Sequence, residues 1–208
     1  MKLVYGITVA DEEFEVLRLL ELLKNNTDDD IVVQMDLKKY DEDLFTKICN
    51  YTHRVYAYPF DNDFSKFKNE LNKNCRLYGA DFIFQLDADE MISEILIKNV
   101  NNHLKLYGSF TDAFAVPRIN IVNGLTKEHL DKWGWIQTND GKINYPDFQT
   151  RLFRSNLIWT GKVHERITGK LRMGSFPLID DYSILHIKNI DKQEKQNLFY
   201  DNIYYNSI

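Results

Sequence analysis

A chain of 208 residues with 44% hydrophobic content can bury one sizeable core and is short for two ordinary domains, so residues 1–208 are read as a single domain. A formal net charge of -5 offers no basic stripe for nucleic acid, and no nucleic-acid partner is expected. Cys49 and Cys75 make neither a disulfide framework nor a paired-cysteine metal site, and no apolar run approaches the roughly 18 residues of a membrane-spanning helix, so a cytoplasmic location with at most peripheral membrane contact is expected.

In chain order, Leu3 to Val9 is a compact apolar run. The acidic Asp11, Glu12 and Glu13 that follow it mark a first strand, not a leader segment. Asp11 is placed to cap a helix presenting Phe14, Leu17, Leu20 and Leu23 on one face. Ile31 to Met35 predicts a second strand ending at Asp36, Asp41 to Asn50 a short helix, and Arg54 to Tyr58 a third strand. Phe67, Leu71, Cys75 and Tyr78 recur at helical spacing before Gly79, and Asp81 to Leu86 is an apolar strand that runs into Asp87-Ala88-Asp89-Glu90. Ser93 caps a further helix through Leu96, Val100 and Leu104. This alternation predicts an α/β fold with a mixed, mainly parallel sheet flanked by helices.

The second half reads as a small α+β portion. Ala113 to Val122 is strand-like, Gly124 to Tyr145 polar and irregular, Phe148 to Phe153 and Leu157 to Ile167 further strands, Ile184 to Ile187 a short one, and Asp191 opens a final helix.

Ligands of open α/β sheets bind outside the carboxyl ends of the strands, which is where Asp87 and Asp89 fall. Two carboxylates one residue apart there can share a divalent cation whose open positions suit a diphosphate, although an isolated Asp-x-Asp is more often a solvated turn. Context favours the chemistry. Asp63-Phe64-Ser65, Lys68-Asn69 and Gly79 through Glu90, with its Leu-Asp-Ala-Asp-Glu ending, resemble the donor-site signature of family 2 glycosyltransferases of the GT-A fold. Lys68 stands where that family commonly has Arg. A second block, Pro146-Asp147, Arg151-Leu152-Phe153-Arg154 and Val163-His164-Glu165, is similar to the phage-like and bacterial members that decorate lipopolysaccharide cores, other glycans or proteins.

The resemblance implies a GT-A-like arrangement, with residues 1–106 binding a nucleotide-sugar donor and 107–208 facing the acceptor. It implies inverting transfer from a UDP- or GDP-sugar to a glycan, lipid-linked or protein acceptor, assisted by Mn²⁺ or Mg²⁺. Asp89 is then the first metal ligand, with Asp87 assisting or contacting the ribose, and His186 is a late candidate against the reading of a structural histidine. Thr8, Val9 and Asp36, at two strand ends, are the expected nucleotide walls; Lys68, Arg151 and His164 are further donor-site candidates. Arg151 and Arg154 should face opposite ways on a strand. Asp147 and Glu165 are rival general bases, and on a strand only one of His164 and Glu165 would face the site. Trp133, Trp135 and Tyr145 are either core or a sugar-stacking wall. The alternatives are a haloacid-dehalogenase-like Mg²⁺ phosphatase, a catalytically inactive carbohydrate-binding relative, and a nucleotidyltransferase, for which no glycine-rich phosphate loop follows the first strand.

Overall fold

The structure, a computed structural model, describes residues 1–205. The first half runs β1 (Leu3–Val9), α1 (Glu13–Asn26), β2 (Asp30–Asp36), α2 (Glu42–Cys49), β3 (Val55–Tyr58), α3 (Phe64–Leu77) and β4 (Phe82–Asp87). The remainder runs β5 (Glu90–Met91), α4 (Glu94–Tyr107), β6 (Ala113–Asn123), α5 (Lys127–Trp133), β7 (Ile143–Arg154), β8 (Trp159–Thr160), β9 (Arg166–Ile167), β10 (Met173–Ser175), β11 (Ile184–Asn189) and α6 (Ile190–Tyr205).

Nine of these strands form one sheet in the order β3-β2-β1-β4-β7-β6-β11-β5, with β10 also paired to β6. The pairs β3/β2, β2/β1, β1/β4, β6/β11 and β6/β10 are parallel, while β4/β7, β7/β6 and β11/β5 are antiparallel. The fold is therefore mixed α/β with a mainly parallel sheet flanked by helices. Strands buried on both faces explain why the first half reads as apolar runs in place of alternation. Tyr5, Ile7, Phe84 and Leu86 join the α1 and α4 side of the core, whereas Val4, Ile83 and Phe153 pack with Leu71 and Cys75 of α3. Gly6 allows that second contact to be close: a Cβ there would meet Cys75 Sγ, Ile83 and Leu71 at 3.2 Å.

Several local expectations are corrected. Glu12, not Asp11, precedes α1, and its Oε2 accepts from the backbone N–H groups of Ala10 and Asp11. Val16 and Leu19 take the buried face with Leu20 and Leu23, leaving Phe14 74% exposed. The segment predicted as irregular contains α5, started by Thr126 and His129 in a reciprocal capping box. The strand predicted over Leu157 to Ile167 is instead two short strands around a turn, because Gly161 (φ 98) and His164 (φ 53) adopt left-handed backbone. Among the described residues no helix is long and apolar enough to cross a membrane.

Candidate functional site

The carboxyl ends of β1, β2 and β4 open into a cleft of about 1490 Å³ that also reaches β6, β7, β11 and α6. The catalytic, donor-site and metal candidates named from the sequence all line it: Thr8, Val9, Asp36, Lys68, Asp87, Asp89, Asp147, Arg151, His164, Glu165 and His186. What the structure adds is how they are tied together.

Asp87 ends β4 with about a third of its side chain open, at 35% relative exposure. Its Oδ1 accepts from Thr8 Oγ1 at 2.8 Å and its Oδ2 from Arg151 Nη2 at 2.9 Å. Burial pushes its carboxyl up, but Arg151 and Lys68 outweigh that and hold it well below the usual carboxylate range. Thr8 thus orients the acidic cluster as well as lining the wall. Arg151 is buried and also donates to Glu90 Oε1 at 2.6 Å, while Arg154 points to the other face and pairs with Asp112.

Asp89 faces three basic side chains: Lys192 Nζ at 3.2 Å, and Lys188 Nζ and His186 Nε2 at 3.5 Å each. Burial raises its carboxyl, and His186, Lys188 and Lys192 together overcome this and lower it strongly. The tautomer of His186 follows from its neighbours. Asp147 can only accept, so Asn120 gives it Nδ2 at 2.8 Å and turns its Oδ1 to His186 Nδ1, also at 2.8 Å, which must carry a proton. His186 Nε2 is the atom turned to Asp89 Oδ2. A carboxylate oxygen and an imidazole nitrogen this close are both ligand types that divalent cations take. Among the described residues no group of three or more His, Cys, Asp or Glu gathers as a metal site, so any cation here would draw its other ligands from phosphate and water.

Asp147 lies on β7, half-buried. Its Oδ2 accepts from Arg118 Nε (2.9 Å), Arg118 Nη2 (2.8 Å) and Asn120, and its Oδ1 from Gln149 Nε2 at 2.5 Å. Burial raises its carboxyl; Arg118, Asn120 and Gln149 more than reverse this. The rival, Glu165, pairs with the buried Lys68, whose ammonium also sits 4.9 Å from the Trp159 ring centre. The positive φ of His164 breaks strand alternation, so His164 and Glu165 both face the cleft, contrary to the one-sided expectation. Asp36 Oδ1 accepts from the backbone N–H groups of Lys38 and Phe60, each at 3.0 Å, which leaves Oδ2 for a ligand.

The sequence reading missed Glu90, Arg118, Asn120, Gln149, Lys188, Lys192 and Tyr200 as site residues. Glu90, fully buried, accepts from Asp87 N, Arg118 and Arg151, and so joins the two acidic ends of the cleft. Arg118 and Asn120, polar at i and i+2 in an apolar strand, carried a signal that was there to be read. Tyr200 comes from α6; burial and the charges of Asp87, Glu165 and Asp89 push its phenol up to about 12. Tyr145 stands apart from the cleft lining, with Lys142 Nζ 4.7 Å above its ring.

Comparison with solved structures finds a similar fold elsewhere. S. aureus TarS 1-349 aligns with a TM-score of 0.57 at 14% identity over 90% of this chain and 60% of that one. The same protein in complex with UDP-GlcNAc gives 0.56 at 14% identity over 90% and 59%. A 4-diphosphocytidyl-2C-methyl-D-erythritol synthase gives 0.56 at 15% identity over 96% and 100%. The likeness is one of fold. The present chain spans about 60% of the TarS segment, and no protein-family model and no curated protein matches it.

Proposed function

We propose that the chain is a metal-assisted glycosyltransferase that moves a sugar, with inversion, from a UDP- or GDP-sugar to an acceptor hydroxyl. The observation that carries this reading is the joint placement of Asp87 and Asp89 with Asp147 in one cleft at the carboxyl ends of the parallel strands. The shared fold with TarS, solved with UDP-GlcNAc, supports it.

In this reading Val9 and Asp36 hold the nucleoside, and Asp89 and His186 hold Mn²⁺ or Mg²⁺ with help from Asp87. When bound, the cation acts as a Lewis acid toward the diphosphate, whose charge grows as the sugar leaves. Lys188 and Lys192 neutralise the same charge from β11 and α6, respectively. Lys68 holds Glu165 and draws it away from the role of base. Asp147 takes the acceptor's proton: it is ionised at neutral pH, and Oδ1, with a single donor against three at Oδ2, is the oxygen left for it. The turn Ala10-Asp11-Glu12 after β1 has no glycine to cradle a triphosphate, which disfavours nucleotidyl transfer.

The test is thermal stabilisation and turnover with UDP-, GDP- and CMP-sugars, with and without Mn²⁺, for the wild type and Asp89→Ala. Metal-dependent stabilisation by one nucleotide-sugar class, lost in the variant, is the expected result. Indifference to every nucleotide, with metal-dependent cleavage of 4-nitrophenyl phosphate, would replace the transferase with a phosphatase.

A further inference from the structure

The segment between β6 and β7 is polar, yet it carries two of the three tryptophans of the chain. Trp133 ends α5, Gly134 turns the backbone in the left-handed region (φ 65), and Trp135 is brought back with its N–H donating to Leu130 O at 3.0 Å. The indole rings lie 4.7 Å apart between centres at 53°, and the His129 ring of α5 lies 5.2 Å from Trp133. Neither belongs to a core cluster; both are partly buried and line the cleft. They are held in place. Ile136 N donates to Asn144 Oδ1 and Asn144 N to Ile136 O, both at 2.8 Å, which fixes the pair to the start of the strand that bears Asp147.

We propose that Trp133 and Trp135 form the acceptor subsite and that the acceptor is a carbohydrate, a sugar ring stacked on the indoles with its hydroxyl turned to Asp147. This rests on the transferase reading for Asp147, though the stacking itself does not. A pyranose has an apolar C–H face and a polar rim. Large rigid aromatic faces beside a few hydrogen-bonding side chains match both, and here Asn144, Lys132 and Gln149 supply the polar partners. An acyl chain would need a continuous apolar channel, whereas this cleft is edged by charge along β6, β11 and α6.

The test is saturation-transfer NMR and intrinsic fluorescence on the full chain with methyl β-glucoside, methyl β-galactoside, methyl β-N-acetylglucosaminide and cellobiose, beside a serine-rich decapeptide and dodecyl phosphocholine. Trp159, 4% exposed and packed on Phe153, gives a constant background. Saturation of the ring protons of at least one glycoside is expected, weakened about tenfold or more by Trp133→Leu and Trp135→Leu and within about threefold of wild type in the Phe variants. Leu keeps the apolar bulk and loses the π face, so a purely structural role predicts no difference between Leu and Phe. No glycoside contact, equal binding in the Leu and Phe variants, or capture of the peptide or the detergent instead overturns the proposal. The glycoside experiment needs no donor: a wild type that binds glycosides and ignores every nucleotide-sugar would end the transferase reading and leave the wall standing.

Discussion

Glu90 has no exposed surface, and three partners converge on it: the Asp87 backbone N–H, Arg118 and Arg151. The two guanidiniums in turn hold Asp147 and Asp87, so one buried carboxylate sets the spacing of both acidic ends of the cleft. Removing one partner of a buried ion pair strands the others in low dielectric, and Glu90→Gln should cost about 3–5 kcal/mol of stability, read from urea unfolding. Asp87→Asn is a contrasting change. Its side chain is partly open, and on the proposed function its charge serves the departing diphosphate, so turnover should fall about a hundredfold or more while the protein still folds. Equal losses of stability in the two variants would sink the division of labour between them.

At the scale of elements, the turn between β8 and β9 shows where sequence pattern stops short. An apolar-looking stretch from Leu157 to Ile167 suggests a strand, but Gly161 and His164 both need positive φ, and only the glycine announces it. His164→Gly should leave the melting temperature within about 2 °C of wild type, because glycine accepts that backbone freely. His164→Val should melt about 4 °C or more lower and loosen the contact between Glu165 and Lys68, since a β-branched residue resists the left-handed region. Similar melting of the two would mean the backbone carries no strain there. By contrast β1, β2, β4, α3 and α4 were legible to within a residue or two, since each is a compact apolar run or a strong helical period closed by Asp, Ser or Gly. The Asp87 and Asp89 pair was legible for the same reason, standing where such a strand ends. Lys188, Lys192 and Tyr200 were not. Their place depends on β11 inserting between β6 and β5 and on α6 returning across the cleft, a long-range pairing that leaves no local trace. The helix itself gives little help, being polar around most of its surface.

For the whole molecule, the net charge of -5 is offset at the cleft, where Lys68, Arg118, Arg151, Lys188 and Lys192 stand paired with Glu165, Asp147, Asp87 and Asp89. On the proposed function an anionic donor would meet Lys188 and Lys192 there, and its affinity should weaken severalfold between about 50 and 500 mM NaCl as the Debye length shortens. Salt-independent affinity would place the donor elsewhere. Stability is anchored at the other end of the sheet. Asp112 precedes β6, which runs parallel to β4, so it lies at the amino ends, away from the cleft. It accepts from Arg172 Nη2 at 2.7 Å, Nε at 3.0 Å and N at 3.0 Å and from Arg154 Nε at 3.1 Å, clasping β6, β7 and the approach to β10. The Arg172 hydrogen bonds, with Arg154 behind them, hold its carboxyl well below the usual carboxylate range. A folded pKa below the unfolded one contributes stability that is complete above the ordinary carboxylate value of about 4 and drains away as pH falls toward the folded value. Asp112→Asn should therefore melt about 2–4 °C below the wild type at pH 7, the worth of roughly 1 kcal/mol in a chain this size, with the gap closing between pH 4 and pH 2. Because the clasp is remote from Asp87, Asp89 and Asp147, donor-induced stabilisation at pH 7 should persist in the variant. A melting gap that stays constant down to pH 2 would show that Asp112 acts by packing and not by charge.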